Sequence, residues 1–326
     1  MEPAVQREQP LLEVIDVSKS FSVPGKSKNG EKIRVTAADK IHLTIHKGET
    51  LGLVGESGSG KSTLARLILR LGDADTGTIR FMGTEIQRYT AKQMRPFRKD
   101  IQIIFQDPYS SLNPQMTVAD NICFNLWVHG EGKHAESRMR KILQDVGLTM
   151  KQSQQYPFEL SGGQRQRVNI ARALILNPKL VIADEPVSAL DKSIQAQVLN
   201  LLQDLKEEYR LSYLFISHDL NVVEYMSDRV AVMYFGRIVE LTDSDTLYRG
   251  AKHPYTQLLL NSIPALEGKL AAEDSGLMEQ ANYVKRCAFL LRCPKAGPRC
   301  QVESPSYIST EAGHDVCCHL YTGGVE

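Results

Sequence analysis

Three short apolar runs interrupt the mostly polar sequence, and each is followed by residues suited to ligand binding or catalysis. They are "LGLV" at 51–54, "LVIA" at 180–183 and "YLFI" at 213–216, the last leading to His218, where we place the end of its strand. Their length predicts buried strands. Apolar residues recur at helical spacing in "LARLILRL", after Ser161 and over 193–209, which predicts a helix in each place, with Ser161 as an N-cap.

Composition is that of an ordinary globular protein and narrows the list of partners. The 326 residues are 42% hydrophobic and 24% charged, with a formal net charge of +1. A nucleic-acid partner is not expected, because the chain lacks a basic excess. The N-terminus lacks a leader pattern, and no apolar run reaches the roughly 18 residues of a spanning helix. These features predict a protein without a transmembrane segment that stays in the cytoplasm.

A glycine-rich loop lies between the first predicted strand and its helix. The sequence "GESGSGKST" fits G-x-x-x-x-G-K-[ST], whose backbone N–H groups, lysine and hydroxyl bind phosphates and Mg²⁺. The strand and helix on either side are the context that this motif requires. The predicted nucleotide-binding residues are Gly55, Glu56, Ser57, Gly58, Ser59, Gly60, Lys61, Ser62 and Thr63, with the Ser62 hydroxyl also a Mg²⁺ ligand.

Two further segments suit the same chemistry. Ser161, Gly162, Gly163 and Gln164 form a turn that opens onto a predicted helix, which favours a second anion site, although taken alone the turn could be only a helix cap. Asp184 and Glu185 end the strand at 180–183, where one carboxylate suits Mg²⁺ and the other an attacking water. His218 is placed to contact a γ-phosphate.

These motifs, in this order, carry a resemblance. "GESGSGKST", "LSGGQ", "VIADE", "SALD" and "SHD" resemble the nucleotide-binding subunit of an ABC transporter over residues 11 to about 250. The resemblance makes Glu185, His218 and Gln106 the catalytic residues and makes Ser62, Gln106 and Asp184 the Mg²⁺ ligands. It makes 161–164 the signature and 188–191 the D-loop. In that family two domains pair head to tail, and each signature covers the ATP held by the other P-loop.

The resemblance also implies the fold. It predicts an α/β, ABC-type P-loop domain over 1–250, with a RecA-like core, a β-subdomain and a helical subdomain at about 107–172. A small cysteine-rich extension would occupy 251–326. Phe21 lies where an aromatic often stacks on adenine in this family, although a core phenylalanine explains it equally well.

The C-terminal cysteines require a separate explanation. Five of the six cysteines follow residue 286, and a reducing compartment favours metal over disulfides. The segment "CAFLLRCPKAGPRCQVESPSY" with "HDVCCH" resembles the end of peptide-importer ATPases, where four cysteines hold a [4Fe–4S] cluster. The resemblance implies Cys287, Cys293, Cys300 and Cys318 as ligands, with Cys317 as the rival to Cys318. Zinc with His314 or His319, or no metal, are the alternatives; Cys123 is expected to be a buried apolar residue.

Two longer segments resemble the same group of peptide-importer ATPases and indicate the function. "IQIIFQDPYSSLNP" and "HPYTQLLLNSIP" resemble the ATPases of oligopeptide and dipeptide importers. The resemblance implies ATP hydrolysis that drives uptake, at the cytoplasmic face of the membrane. The implied partners are a second related ATPase, two transmembrane permease subunits and, indirectly, an extracytoplasmic substrate-binding protein. Import of nickel or a metal chelate is the alternative, and a soluble ABC ATPase outside transport is a remote one.

Overall fold

The computed structural model of the chain describes residues 9–26, 32–261, 286–311 and 313–322. These residues form two compact units. Unit I comprises the described part of Met1–Leu11, Ile45–Thr50 and Arg88–Ser217. Unit II comprises the described parts of Leu12–Thr44, Leu51–Gln87 and His218–Glu326. The predicted extension at 251–326 lies partly outside the described residues, so its limits stay a prediction.

The strands are β1 (Leu12–Lys26), β2 (Lys32–Ile45), β3 (Thr50–Val54), β4 (Thr76–Phe81), β5 (Thr84–Glu85), β6 (Ile101–Ile104), β7 (Leu180–Asp184), β8 (Ser212–Ile216), β9 (Arg229–Tyr234), β10 (Arg237–Asp243), β11 (Ile308–Glu311) and β12 (His314–Val316). The α-helices are α1 (Lys61–Ile68), α2 (Ala91–Asp100), α3 (Pro108–Ser111), α4 (Val118–Val128), α5 (Ala135–Asp145), α6 (Met150–Ser153), α7 (Gly162–Leu174), α8 (Lys192–Tyr209), α9 (Leu220–Met226), α10 (Ser244–Gly250), α11 (Pro254–Asn261) and α12 (Pro298–Val302). Short 3₁₀ turns lie at Gly132–His134, Pro157–Glu159 and His319–Tyr321.

Unit I places helix α7 beside a parallel sheet. Strands β6, β7 and β8 pair in parallel, and Ile182 on the central strand faces Ile103 on one side and Leu214 on the other. Strands β7 and β8 were predicted from the sequence and are present. Strand β8 ends at Ile216, however, so His218 follows the strand rather than ending it. Helix α7 packs against α3, α4, α5 and β6. Its apolar side is fully buried, which explains the helical spacing of its apolar residues.

Unit II contains two sheets. One has the order β2-β1-β4-β5 and runs antiparallel where β1 meets β4 and β4 meets β5. In the other, β3 pairs in parallel with β9, and β10, β12 and β11 follow in antiparallel fashion. Strand β3 is buried at every position, as its apolar sequence predicts.

The described part of the C-terminal extension shares its core with the rest of unit II. Strand β12 pairs with β10, so that Val316 lies opposite Glu240. Phe289 is only 2% exposed and packs edge-on against Tyr234 and Tyr255. The cysteine-rich sequence, which has few apolar residues, therefore relies on rings from β9 and α11. No helix of the described residues is long and apolar enough to span a bilayer.

Candidate functional site

The glycine-rich loop connects β3 to α1, and two of its glycines are required by close contacts. At Gly55 a Cβ atom would lie 2.1 Å from the carbonyl oxygen of Met233. At Gly60, which has a φ of 109°, it would lie 2.0 Å from the carbonyl oxygen of Ala37. No side chain fits at either place, because real Cβ atoms do not approach backbone oxygens so closely. Gly60 is also the N-cap of α1, so the loop leads directly into a helix N-terminus.

Lys61 places its charge inside this loop. The side chain is buried, and its ammonium donates to the carbonyl oxygens of Gly55 at 2.7 Å and Glu56 at 2.9 Å. On the other side of the loop, the N–H of Gly236 donates to the carbonyl of Ser59 at 2.8 Å. A fixed cation beside backbone N–H groups and a helix N-terminus attracts phosphate oxygens. The next residue, Ser62, is exposed, and its role as a Mg²⁺ ligand stays a prediction.

Phe21 lies on the surface of unit II. Its side chain is 46% exposed, and the ammonium of Lys19 is 5.6 Å from the ring centroid. The explanation of this residue as a core phenylalanine is therefore wrong. An exposed ring in a sheet can stack on a planar ligand, so the adenine role stays a prediction.

In unit I, the structure brings two predicted catalytic residues together. The side-chain amide of Gln106 donates to Oε2 of Glu185 at 3.0 Å. Glu185 has a φ of 50°, a region that few side chains adopt, and its N–H donates to the carbonyl of Ile216 at 2.9 Å. Such backbone geometry concentrates at functional sites. Asp184 ends β7 immediately before it. His218 is exposed and belongs to unit II, so its role stays a prediction.

The signature turn is capped and open to solvent. Ser161 is the N-cap of α7, as predicted: its hydroxyl accepts from the N–H of Gln164 at 3.3 Å, and the Gln164 side chain accepts from the N–H of Ser161 at 2.9 Å. This reciprocal capping box fixes the start of the helix. Ser161 and Gly162 are exposed, whereas a Cβ at Gly163 would lie 2.7 Å from the side chain of Ile194.

Three polar residues of α7 form hydrogen bonds that were not predicted from the sequence. The side chain of Gln166 donates to the carbonyl of Pro186 at 2.6 Å, and that of Asn169 donates to the carbonyl of Phe105 at 3.1 Å. Arg172 donates to the carbonyl of Ser111, and burial lowers the pKa of Arg172 to about 10. Phe105 and Pro186 are the immediate neighbours of Gln106 and Glu185 in the sequence. A signal was present, because polar residues three apart on the buried face of a helix indicate side-chain hydrogen bonds.

The C-terminal cysteines divide into two groups. Cys287, Cys293, Cys300 and Cys318 line one cavity of about 190 Å³. The N–H of Cys287 donates to the carbonyl of Cys300 at 3.0 Å. Cys317 lies elsewhere: its buried thiol donates to the carbonyl of Pro305 at 3.2 Å. The four cysteines that line the cavity are the four that the resemblance implies as ligands.

The geometry around these cysteines is not that of an assembled metal site. Among the residues that the structure describes, no three His, Cys, Asp or Glu side chains are grouped as metal ligands. His314 is buried, with Nε2 2.8 Å from Oε1 of Glu240, and Nε2 of His319 lies 3.1 Å from the carbonyl of Glu303. In both histidines Nδ1 is buried without a hydrogen-bond partner, so a zinc site that includes one of them stays an alternative. Cys123, as predicted, is buried, and burial raises the pKa of its thiol to about 11.

Comparison with known proteins identifies the class. A profile described as "ABC transporter" matches residues 38–188, and one described as "Oligopeptide/dipeptide transporter, C-terminal region" matches residues 239–300. The oligopeptide transport ATP-binding protein AppF of Bacillus subtilis is 45% identical over 97% of this chain and 98% of its own length. OppF of the same organism is 50% identical over 78% of this chain and 82% of its own.

Solved structures agree with this result. The ATP-binding cassette MJ0796, in a dimeric post-hydrolysis state bound to ADP and Pi, matches with a TM-score of 0.63 and 28% identity, over 72% of this chain and 98% of its own. The cbiO1 protein of Clostridium perfringens matches with a TM-score of 0.64 and 26% identity, over 80% of this chain and 99% of its own. The chain therefore belongs to the ABC transporter family, in its branch of oligopeptide transport ATP-binding proteins. It has the α/β fold of an ABC ATPase, as the sequence predicted.

Proposed function

We propose that the chain hydrolyses ATP to drive uptake of oligopeptides or dipeptides, at the cytoplasmic face of the membrane. The observation that supports this most is a complete set of ATPase motifs on a chain whose C-terminal region matches the oligopeptide/dipeptide profile. The names of AppF and OppF point to the same cargo. Uptake of nickel or a metal chelate by the same machinery is the alternative.

The residues divide the work of hydrolysis between them. The loop from Gly55 to Thr63 holds the phosphates, and Lys61 neutralises their charge. Glu185 orients and deprotonates the attacking water, while Gln106, which holds its carboxylate, keeps it in position. Ser62, Asp184 and Gln106 supply the oxygen donors that Mg²⁺ prefers; when bound, this ion would offset the charge of the phosphates. His218 contacts the γ-phosphate.

The active form is a pair of related ATPases. An exposed, capped signature turn at Ser161 and Gly162 supports this arrangement, because it leaves a helix N-terminus available to a partner's nucleotide. Two membrane permeases convert closure and reopening of the pair into transport, and a substrate-binding protein outside the cell delivers the cargo. This chain therefore supplies energy rather than specificity.

Two variants test the ATPase assignment. Glu185→Gln should keep ATP affinity while turnover falls at least a hundredfold, the usual contribution of a general base. Lys61→Ala should lose ATP binding itself. Binding is measured by titration with a fluorescent ATP analogue and turnover by phosphate release. Normal hydrolysis by Glu185→Gln would contradict the role of Glu185.

The cargo is tested in cells that carry the whole transporter. Strains with the wild-type chain and with Glu185→Gln are compared for uptake of a labelled tripeptide and of radioactive nickel. We expect peptide uptake to stop in the variant and nickel uptake to be the same in both. The reverse pattern would support the metal alternative.

We also propose that Cys287, Cys293, Cys300 and Cys318 hold a [4Fe–4S] cluster. Thiolates are the ligands that such clusters use, and all four cysteines line one cavity, which supports the proposal. Iron, acid-labile sulfide and zinc are determined per polypeptide after anaerobic purification. Cys318→Ser should lose iron and sulfide, whereas the matched variant Cys317→Ser should keep them. Zinc, or no metal, in the wild type would refute the cluster.

A further inference from the structure

An arginine of the cysteine-rich segment forms an ion pair with the phosphate-binding loop. The guanidinium of Arg292 donates to Oε2 of Glu56 at 2.9 Å and to Oε1 at 2.8 Å. The two residues are 236 positions apart in the sequence. Two parallel charge-assisted hydrogen bonds fix direction as well as distance, so Arg292 constrains the Glu56 side chain more than a single contact would.

A tyrosine holds the backbone of the same residue. The hydroxyl of Tyr255, near the start of α11, accepts a hydrogen bond from the N–H of Glu56 at 3.0 Å. Tyr255 is itself fully buried, with its ring centroid 4.4 Å from that of Tyr234 and 5.5 Å from that of Phe289. Its position is rigid because aromatic rings enclose it on two sides.

The segment before α11 is anchored as well. Glu240 on β10 is fully buried, and its carboxylate accepts from the N–H groups of Lys252 at 2.6 Å and His253 at 3.0 Å. Nδ1 of His253 accepts from the N–H of Tyr255 at 3.1 Å. Arg292 is held by a turn in which its own N–H donates to the carbonyl of Phe289 at 3.1 Å.

Glu56 connects these anchors to the phosphate-binding lysine. Its carbonyl accepts from the ammonium of Lys61, while its N–H and carboxylate are held by Tyr255 and Arg292. A shift of Glu56 would therefore move one of the two carbonyls that position the ammonium. Nothing in the ATPase chemistry itself requires an acidic residue at this place in the loop.

We propose that Arg292 and Tyr255 are positioning residues for ATP binding: they let the C-terminal segment hold Glu56, and through it Lys61, in the phosphate-binding arrangement. This inference rests on the proposed ATPase function. It assigns a task to the "HPY" sequence at 253–255 and to the residue beside Cys293. It also means that disturbing the cysteine-lined cavity weakens ATP binding.

The test compares ATP affinity and turnover in the full-length chain. In Arg292→Ala the Kd for a fluorescent ATP analogue should rise about three- to fivefold, the effect of losing one well-formed but half-exposed ion pair. The kcat should change less than twofold, because Glu185 is untouched. Tyr255→Phe, which removes only the hydroxyl, should raise the Kd by a similar factor. Arg249→Ala is the control, since it removes an arginine whose ion pair is at the surface.

A double-mutant cycle separates positioning from general destabilisation. Glu56→Gln should weaken ATP binding as Arg292→Ala does, and the double variant should be no worse than either. Reversal of the pair, Arg292→Glu with Glu56→Arg, should recover affinity relative to Arg292→Glu alone. Wild-type affinity in Arg292→Ala, or additive losses in the double variant, would overturn the inference. Failure of the wild type itself to bind ATP would instead refute the proposed function.

Discussion

The side-chain amide of Gln166 donates to the carbonyl of Pro186 at 2.6 Å, and this contact ties the signature helix to the residue that follows Glu185. Both atoms are buried. One helix turn later Asn169 holds the carbonyl of Phe105, the residue before Gln106. Helix α7 thus positions both segments that carry the Gln106–Glu185 pair.

We therefore expect Gln166→Leu to impair catalysis more than binding. The substitution leaves the buried carbonyl of Pro186 without its donor, which should cost about 1–3 kcal/mol of stability. The segment around Glu185 loses a support, so kcat should fall about tenfold while the KM for ATP changes little. Gln144→Leu, at an exposed position of α5, is the control. Equal kcat values in Gln166→Leu and Gln144→Leu would contradict the prediction.

The two signature glycines should respond differently to alanine. At Gly163 a Cβ would lie 2.7 Å from a side-chain methyl of Ile194, so either that side chain or the packing of α7 on α8 must shift, at a cost of about 1–2 kcal/mol. At Gly162 the nearest atom would be 3.7 Å away, on Leu190. Thermal unfolding should show a lower Tm for Gly163→Ala and an unchanged Tm for Gly162→Ala. A similar Tm in both variants would show that Ile194 adjusts without cost.

Phe21→Ala should weaken ATP binding without destabilising the fold. Because the ring is 46% exposed, little apolar burial is lost with it. Stacking of a base on an aromatic ring contributes about 1–3 kcal/mol, so a rise of about fivefold or more in the Kd for ATP is expected, with recovery in Phe21→Trp. Leu71→Ala, another exposed apolar residue of unit II, is the control. Unchanged affinity in Phe21→Ala would exclude the stacking role.

Local patterns predicted the parts of the site that depend on neighbouring residues. The strand, loop and helix around Lys61 and the N-cap at Ser161 were predicted because each depends on a few consecutive residues. The end of β8 was misplaced by two residues, since strand boundaries depend on pairing that the sequence does not display. The burial of Cys123 was expected because free cysteines are among the most buried residue types.

Contacts between distant segments could not be predicted in this way. The Arg292–Glu56 pair has no signal in either segment, because its geometry depends on how α11 and the cysteine-rich turn meet the loop. The same holds for Cys317 and Cys318. Spacing alone allows either residue to face the cavity, and the choice follows from the pairing of β12 with β10, after which the N–H of Cys317 donates to the carbonyl of Val239.

In the chelator-treated chain, the rate at which each cysteine is alkylated should depend on how deeply its thiol is buried. Burial raises the pKa of the Cys123 and Cys317 thiols to about 11. The thiolate is the reactive form of cysteine. Raising a thiol pKa from 9.0 to about 11 lowers the thiolate fraction at pH 8 by about a hundredfold. Cys293 and Cys300, which are only half-buried, should react with iodoacetamide before the buried Cys123 and Cys317. Mass spectrometry before and after denaturation gives the order; early labelling of Cys317 would show that it, rather than Cys318, faces the cavity.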